Sequence, residues 1–87
     1  MKGYEVKSEM LKAMAHPVRL KILSGLIENE CYVNEMQDNL NIPQSTVSQH
    51  LSILKRQGII APRKEGVRTC YKVVDKKAIK MINILDK

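Results

Sequence analysis

The segment that decides the fold runs from Pro43 to Gly58 and reads PQSTVSQHLSILKRQG. Val47, Leu51 and Leu54 recur at spacings of four and three, which predicts one buried stripe of a helix. The opposite face carries amides, hydroxyls and an imidazole instead of the Glu and Lys of an ordinary solvated face. Such groups are suited to hydrogen bonds with base edges and phosphates in a DNA major groove. They are Gln44, Ser45, Thr46, Ser48, Gln49 and His50.

The sequence around this helix predicts a winged helix-turn-helix. Apolar spacing from Val33 to Leu40 predicts a short preceding helix, and Asn41–Pro43 provides the turn. Gly58 ends the second helix, and the residues after it predict two strands that turn at Gly66. We therefore expect a mainly α fold with a small β-hairpin wing. The predicted parts of the single domain 1–87 are a helix-turn-helix at about 33–57, a wing at about 59–74 and a last helix at about 76–86.

Helices predicted at the two ends of the chain carry much apolar surface. The first spans Tyr4–Ala15 and stops before Pro17, which suits the first position of a new helix. The last one follows Asp75, a residue suited to capping it. We interpret both terminal helices as a homodimer interface, and the alternative is that they pack on their own core. The candidate interface residues are Met10, Leu11, Met14, Ile79, Ile82 and Leu85.

The chain is basic, and the excess charge is concentrated. It has 15 Lys and Arg against 9 Asp and Glu, for a net charge of +6. Most of this excess lies between Lys55 and Lys72, which favours a polyanionic partner, although a merely soluble basic protein would also fit. The chain has no Phe or Trp, so it lacks the aromatic platform of single-strand binders. Duplex DNA is the predicted partner.

Membrane and enzyme classes fit the sequence poorly. No apolar run approaches the roughly 18 residues of a membrane span, and the N-terminus lacks the pattern of a signal peptide. We expect a cytoplasmic protein without a membrane partner. The sequence shows no nucleophile with a base, phosphate-binding loop or carboxylate pair, so we do not expect an enzyme. The alternative to a DNA-binding regulator is a winged-helix module that binds another protein and does not read DNA.

Two motifs resemble the ArsR/SmtB family of bacterial and archaeal repressors. The first is HPVRLKIL at residues 16–23, and the second is QSTVSQHL at residues 44–51. The wing stretch Arg63–Gly66 and the strand Cys70–Val73 also match, so the resemblance covers nearly the whole chain. It implies a homodimeric winged-helix repressor that binds an inverted-repeat operator and changes DNA affinity with its ligand state.

The resemblance also implies specific DNA contacts. The polar front of the 44–56 helix would face the operator, with base edges contacted by Ser45, Ser48 and Gln49. Thr46 and His50 would be shared between bases and phosphates, and for His50 a role in helix packing is the alternative. The wing cations would lie on the backbone or in the minor groove. These cations are Arg63, Lys64 and Arg68.

The ligand sets of the family's metal sensors are absent from the sequence. A thiolate pair at the start of the first helix of the helix-turn-helix would fall on Tyr32 and Asn34, which offer no sulfur. The last helix offers Asp75 and Asp86 near its ends but no His for a zinc site. We therefore predict no metal and no cofactor. A small inducer or an oxidant remains open as the signal.

The two cysteines allow two interpretations. A segment at Cys31–Val33 is predicted to be extended and to pair with the second wing strand, which would bring Cys31 near Cys70. Strand alternation would then turn Cys31 into the core and Cys70 outward, against a ready bond. Under the structural interpretation, Cys31 is a small core residue and Cys70 a partly exposed strand residue. Under the functional one, the pair is a thiol switch.

Overall fold

A computed structural model describes residues 3–86, with the side chains of residues 37–40 left aside. No helix in this part of the chain is long and apolar enough to cross a membrane. The order of elements is helix, helix, helix, helix, strand, strand, helix. Their bounds are α1 Tyr4–Met14, α2 Pro17–Glu28, α3 Val33–Leu40, α4 Gln44–Arg56, β1 Ile60–Glu65, β2 Arg68–Val73 and α5 Lys76–Leu85.

Local capping residues determine where several helices begin and end. Pro17 is the first residue of α2, and the Nδ1 atom of His16 accepts a hydrogen bond from the Val18 N–H at 3.1 Å. The carboxylate of Asp75 accepts hydrogen bonds from the first turn of α5. Gly58 follows α4 with a φ of 73°, a conformation that glycine adopts without steric cost. These three predicted boundaries are confirmed.

The wing is a two-stranded antiparallel hairpin. Its strands are joined at Gly66, which has a φ of 62°, and Pro62 of β1 lies opposite Tyr71 of β2. The Tyr71 N–H points away from β1 and donates to the Glu30 carbonyl oxygen at 2.7 Å. Pro62 therefore occupies a position without a ladder hydrogen bond, where its missing N–H costs nothing.

One hydrophobic core connects the helix-turn-helix, the wing and the terminal helices. The predicted stripe of α4 is buried, and it packs with side chains from α2 and from the base of the wing. This arrangement confirms the predicted mainly α fold with a small β-hairpin wing. Buried members of the cluster include Ile22, Leu23, Leu26, Met36, Val47, Leu51, Leu54, Ile59, Ile60 and Val73.

The terminal helices divide their apolar residues between the core and the surface. Met14 of α1 and Ile82 of α5 are buried against the chain's own core, so they are corrected from interface residues to core residues. Leu11 and Leu85 are exposed. Helices with apolar residues around much of their circumference bury one stripe and leave another open. Two predicted interface residues, Met10 and Ile79, are half-buried.

The prediction that Cys31 lies near Cys70 is confirmed, since the two form a disulfide bond, but the predicted extended segment and the predicted outward orientation of Cys70 were wrong. Cys31 and Tyr32 lie in a turn between α2 and α3, not in an extended strand, because the Cys31 N–H bonds to the side-chain oxygen of Asn29 at 3.0 Å. Cys70 is fully buried and not exposed. The α2–α3 turn lies along the edge of β2, where the Glu30 carbonyl oxygen accepts from the Tyr71 N–H. The disulfide bond between Cys31 and Cys70 holds Cys70 beneath this turn.

Candidate nucleic-acid interface

The front of α4 presents uncharged polar groups to the surroundings. Gln44, Ser45, Ser48 and Gln49 are exposed, while Thr46 is half-buried. The buried stripe of the same helix fixes this orientation, since it anchors the opposite side in the core. Pro43, which precedes α4, has no side-chain group that could cap the helix, so the Gln44 and Ser45 N–H groups can meet an anion such as phosphate.

The helix front and the wing border one half-open cleft. The cleft has a volume of about 450 Å³ and lies between α4, the start of α3 and the hairpin. Gln44 and Ser48 line it from α4, and Arg68 and Thr69 line it from β2. The polar helix front and a wing cation are therefore on the same face of the molecule.

His50 is held by two neighbouring side chains. Its ring is half-buried, and the Nη1 atom of Arg19 lies 3.1 Å from the His50 Nδ1 atom. The ring of His16 packs beside it, with centroids 4.6 Å apart. Burial, together with the charges of His16 and Arg19, lowers the pKa of His50. Sequence reasoning gave no role to Arg19, although Arg19 belongs to the HPVRLKIL motif.

Arg63 is placed differently from the other two wing cations. Its Nε atom lies 2.7 Å from a carboxylate oxygen of Glu30, and its Nη1 atom pairs with Glu65. Hydrogen bonds to Glu65 and Glu30 raise the pKa of Arg63. Lys64 and Arg68 are exposed and have no ion pair within the described residues. Arg63 therefore fastens the wing, and Glu30 is the partner that the sequence did not reveal.

A disulfide bond joins the wing to the start of the helix-turn-helix. Cys31 in the α2–α3 turn is bonded to Cys70 of β2, with Cα atoms 4.4 Å apart. The Arg63–Glu30 ion pair and the Tyr71–Glu30 hydrogen bond lie next to it. The root of the wing is thus attached by one covalent bond and two polar contacts.

The donor atoms do not fit the metal sites of related sensors. Tyr32 and Asn34, where the resemblance would place a thiolate pair, carry no sulfur, and Cys31 is already in the disulfide. Across residues 3–86, with 37–40 left aside, no three His, Cys, Asp or Glu side chains are grouped for a metal ion.

Comparisons with known proteins identify the family. The sequence profile described as bacterial regulatory protein, arsR family, matches residues 16–61. The chain belongs to the arsR family. A relative of this arsR-family chain, an uncharacterized HTH-type transcriptional regulator of Methanocaldococcus jannaschii, is 42% identical over 87 residues, which cover 99% of the chain and 98% of the relative.

Solved structures agree with this family assignment. HlyU from Vibrio cholerae superposes with a TM-score of 0.87 at 38% identity, over 97% of the arsR-family chain and 91% of HlyU. The transcriptional repressor PagR of Bacillus anthracis gives a TM-score of 0.82 at 35% identity, covering 94% of each chain. The relatives are transcriptional regulators and not enzymes. They confirm the prediction of a DNA-binding transcriptional repressor and do not favour the protein-interaction alternative.

Proposed function

We propose that this arsR-family regulator is a homodimeric repressor that places the front of α4 in the major groove of an inverted-repeat operator. The observation that carries the proposal is the shared cleft, where Gln44 and Ser48 of α4 lie on the same face as Arg68 of the wing. A helix in the major groove and a basic hairpin on the adjacent backbone require this juxtaposition.

The proposed contacts follow exposure and chemistry. Ser45, Ser48 and Gln49 contact base edges, since they are exposed and carry both donors and acceptors. Gln44 and Thr46 lie at the open start of α4, where a phosphate would be held. Lys64 and Arg68 neutralise the backbone beside the wing. Arg63 is removed from this set because its guanidinium is occupied by two carboxylates.

The terminal helices supply the proposed dimer contact. Leu11 of α1 is 51% exposed, and Ile84 and Leu85 of α5 are 70% and 64% exposed. Exposed apolar side chains on both terminal helices are typical of a surface that a partner covers, and a chain of this size gains stability by pairing. Light scattering of the wild-type protein should give twice the molar mass of one chain. The Leu85→Glu variant should give a molar mass closer to that of one chain. A wild-type molar mass equal to that of one chain would contradict the proposed dimer.

The test of DNA binding begins with selection of bound duplexes from a random pool. We expect half-sites about 10 bp apart and an affinity that falls steeply with salt. Lys64→Ala should lower the slope of log K against log salt by about one and weaken all sequences alike. Gln49→Ala should instead relax specificity at one base position. Lys21→Ala, an exposed change on α2, is the control. A flat salt dependence would overturn the proposal.

The disulfide supports a second proposal, that thiol oxidation controls operator affinity. Oxidation of Cys31 and Cys70 forms one S–S bond and releases two protons and two electrons to an oxidant such as a peroxide. The bond holds the wing on the helix-turn-helix, so the reduced protein should bind the operator more weakly. DNA binding in buffers of graded thiol and disulfide content tests this, with Cys31→Ser/Cys70→Ser as the redox-insensitive control. Equal affinity of the two redox states would contradict it.

A further inference from the structure

Arg19 connects the three helices α1, α2 and α4. It belongs to α2, and its Nε atom donates to the Ala13 carbonyl oxygen in the last turn of α1 at 2.5 Å. Its Nη1 atom contacts the Nδ1 atom of His50 in α4 at 3.1 Å. The guanidinium therefore fixes the position of α4 relative to α1 and α2. It does so through His50, which lies beside the proposed DNA contacts.

The contact with Arg19 determines where the His50 ring carries its proton. A guanidinium has only donors, so His50 Nδ1 must accept. The neutral ring then has its N–H at Nε2. His16 is fixed in the same way, since its Nδ1 atom accepts from the Val18 N–H. In their neutral forms, the two neighbouring rings are thus both held as Nε2–H tautomers by partners on the Nδ1 side.

The Nε2–H of His50 is available to an outside partner. None of the described hydrogen bonds uses this atom. No side-chain nitrogen or oxygen in the described part of the chain is both buried and without a partner, so Nε2 reaches the surface. It lies on α4, one residue after Gln49 and one turn after Thr46.

We propose that Arg19 is a positioning residue for DNA binding, which holds neutral His50 so that its Nε2–H donates to an acceptor on DNA. This inference rests on the proposed function. The acceptor is a phosphate oxygen or the N7 atom of a purine, both of which lack a hydrogen. Protonation of Nδ1 would remove the acceptor for Arg19 and put two cations in contact, so the arrangement requires an uncharged ring.

A first experiment measures the tautomer without DNA. Nitrogen chemical shifts of ¹⁵N-histidine-labelled protein distinguish the Nε2–H and Nδ1–H forms. We expect the wild-type His50 to be the Nε2–H form at pH 8, and Arg19→Lys, which keeps the charge and loses the planar fork, to give a mixture. A wild-type Nδ1–H form, or an unchanged tautomer in Arg19→Lys, would overturn the positioning role.

A second experiment measures affinity for a selected operator and for unrelated duplexes. His50→Gln keeps an N–H near the Nε2 position, whereas His50→Asn is too short to do so. We expect Asn to weaken operator binding about tenfold and Gln by about threefold or less. Arg19→Lys alone should weaken operator binding about tenfold. Added to His50→Asn, it should weaken operator binding much less, because Arg19 and His50 act together. Urea unfolding of each free variant identifies any variant that fails to fold.

The pattern of losses identifies the acceptor. Equal losses for all duplexes indicate a phosphate oxygen, and a loss confined to the operator indicates a purine N7. If wild type binds DNA and both His50→Asn and Arg19→Lys bind as tightly, the positioning role is overturned while the proposed function stands. If wild type binds no duplex in the selection, both are overturned.

Discussion

At the scale of single residues, the ring of Tyr32 packs directly on the backbone of α2 at Gly25. A methyl group placed on Gly25 would overlap three carbon atoms of the ring. We therefore expect Gly25→Ala to displace Tyr32 and to lower the free energy of unfolding by about 1–3 kcal/mol, the usual cost of overpacking. Urea unfolding followed by circular dichroism measures the change.

The reverse sign is expected once the ring is gone. In a Tyr32→Ala background, Gly25→Ala should raise the free energy of unfolding by about 1 kcal/mol, because alanine is the better helix former. The two backgrounds together separate the steric effect from helix propensity. A stabilising Gly25→Ala change in the wild-type chain would show that Tyr32 does not lie where the structure places it.

His50 makes the stability of the fold depend on pH. Burial, His16 and Arg19 lower its pKa in the folded chain, and the unfolded chain has the ordinary value of about 6.5. Between these two values the unfolded state binds more protons, so stability is fully present above about pH 6.5 and falls as the pH drops towards the lowered pKa. Urea midpoints measured from pH 8 to pH 5 test this.

A matched variant isolates the histidine in this pH series. His50→Gln has no group that titrates at this position, so its midpoint should fall less than that of the wild type over the same range. The charged or titratable neighbours that act on His50, namely His16 and Arg19, are unchanged in the variant. Parallel curves for the two proteins would exclude His50 as the source of the effect.

At the scale of elements, the wing depends on Glu30 for its position. Arg63 donates to the Glu30 carboxylate, and Tyr71 donates to its backbone carbonyl. Arg63→Ala and Glu30→Ala should therefore both speed hydrogen exchange of the Tyr71 amide, and the double variant should add little. The charged groups are 41% and 35% exposed, so the cost in global stability should stay below about 1 kcal/mol.

An exposed wing cation provides the comparison for this measurement. Lys64→Ala removes a positive charge from the same strand but no contact with Glu30, so Tyr71 exchange should not change. If Lys64→Ala and Arg63→Ala speed exchange equally, loss of charge and not loss of the ion pair would be the cause.

The boundaries of these elements follow from local chemistry that the sequence displays. Pro17, Gly58 and Asp75 act within one turn of their own positions, so reading them in order locates the start of α2, the end of α4 and the start of α5. The expected alternation of buried and exposed side chains failed at Cys70 because it assumes that one face of the hairpin is exposed to solvent. The α2–α3 turn lies against the edge of β2 and covers that position from outside the pair.

Tertiary placement also explains which site residues could be foreseen. The exposed front of α4 follows from its buried stripe, which the spacing of Val47, Leu51 and Leu54 already displays. The engagement of Arg63 by Glu30 spans 33 residues, and that of His50 by Arg19 spans 31. No local pattern specifies contacts of that separation, since they depend on how the helices and the wing pack together.

At the scale of the whole molecule, the disulfide contributes much of the stability available to a small domain. Its cysteines are 39 residues apart, and closing a loop of that length restricts the unfolded chain by about 4 kcal/mol in the chain-entropy treatment. A domain of this kind has a total of about 5–15 kcal/mol. Reduction should therefore lower the urea midpoint strongly, measured with and without a thiol reductant.

The double variant Cys31→Ser/Cys70→Ser tests the same contribution without a reductant. Its midpoint should match that of the reduced wild type and should not respond to thiols. A reduced wild type as stable as the oxidised one would show that the unfolded chain gains no freedom when the bond is absent.

The disulfide also changes the connectivity of the protein. Residues 31–70 form a closed covalent ring that contains both helices of the helix-turn-helix and most of the hairpin, and the rest of the chain forms two tails. The fully exposed tip at Val67 belongs to this ring and is an accessible place for a protease to cut. A chain cut there stays in one piece until its disulfide is reduced. A single cleavage would therefore leave α4 and both strands of the wing covalently connected.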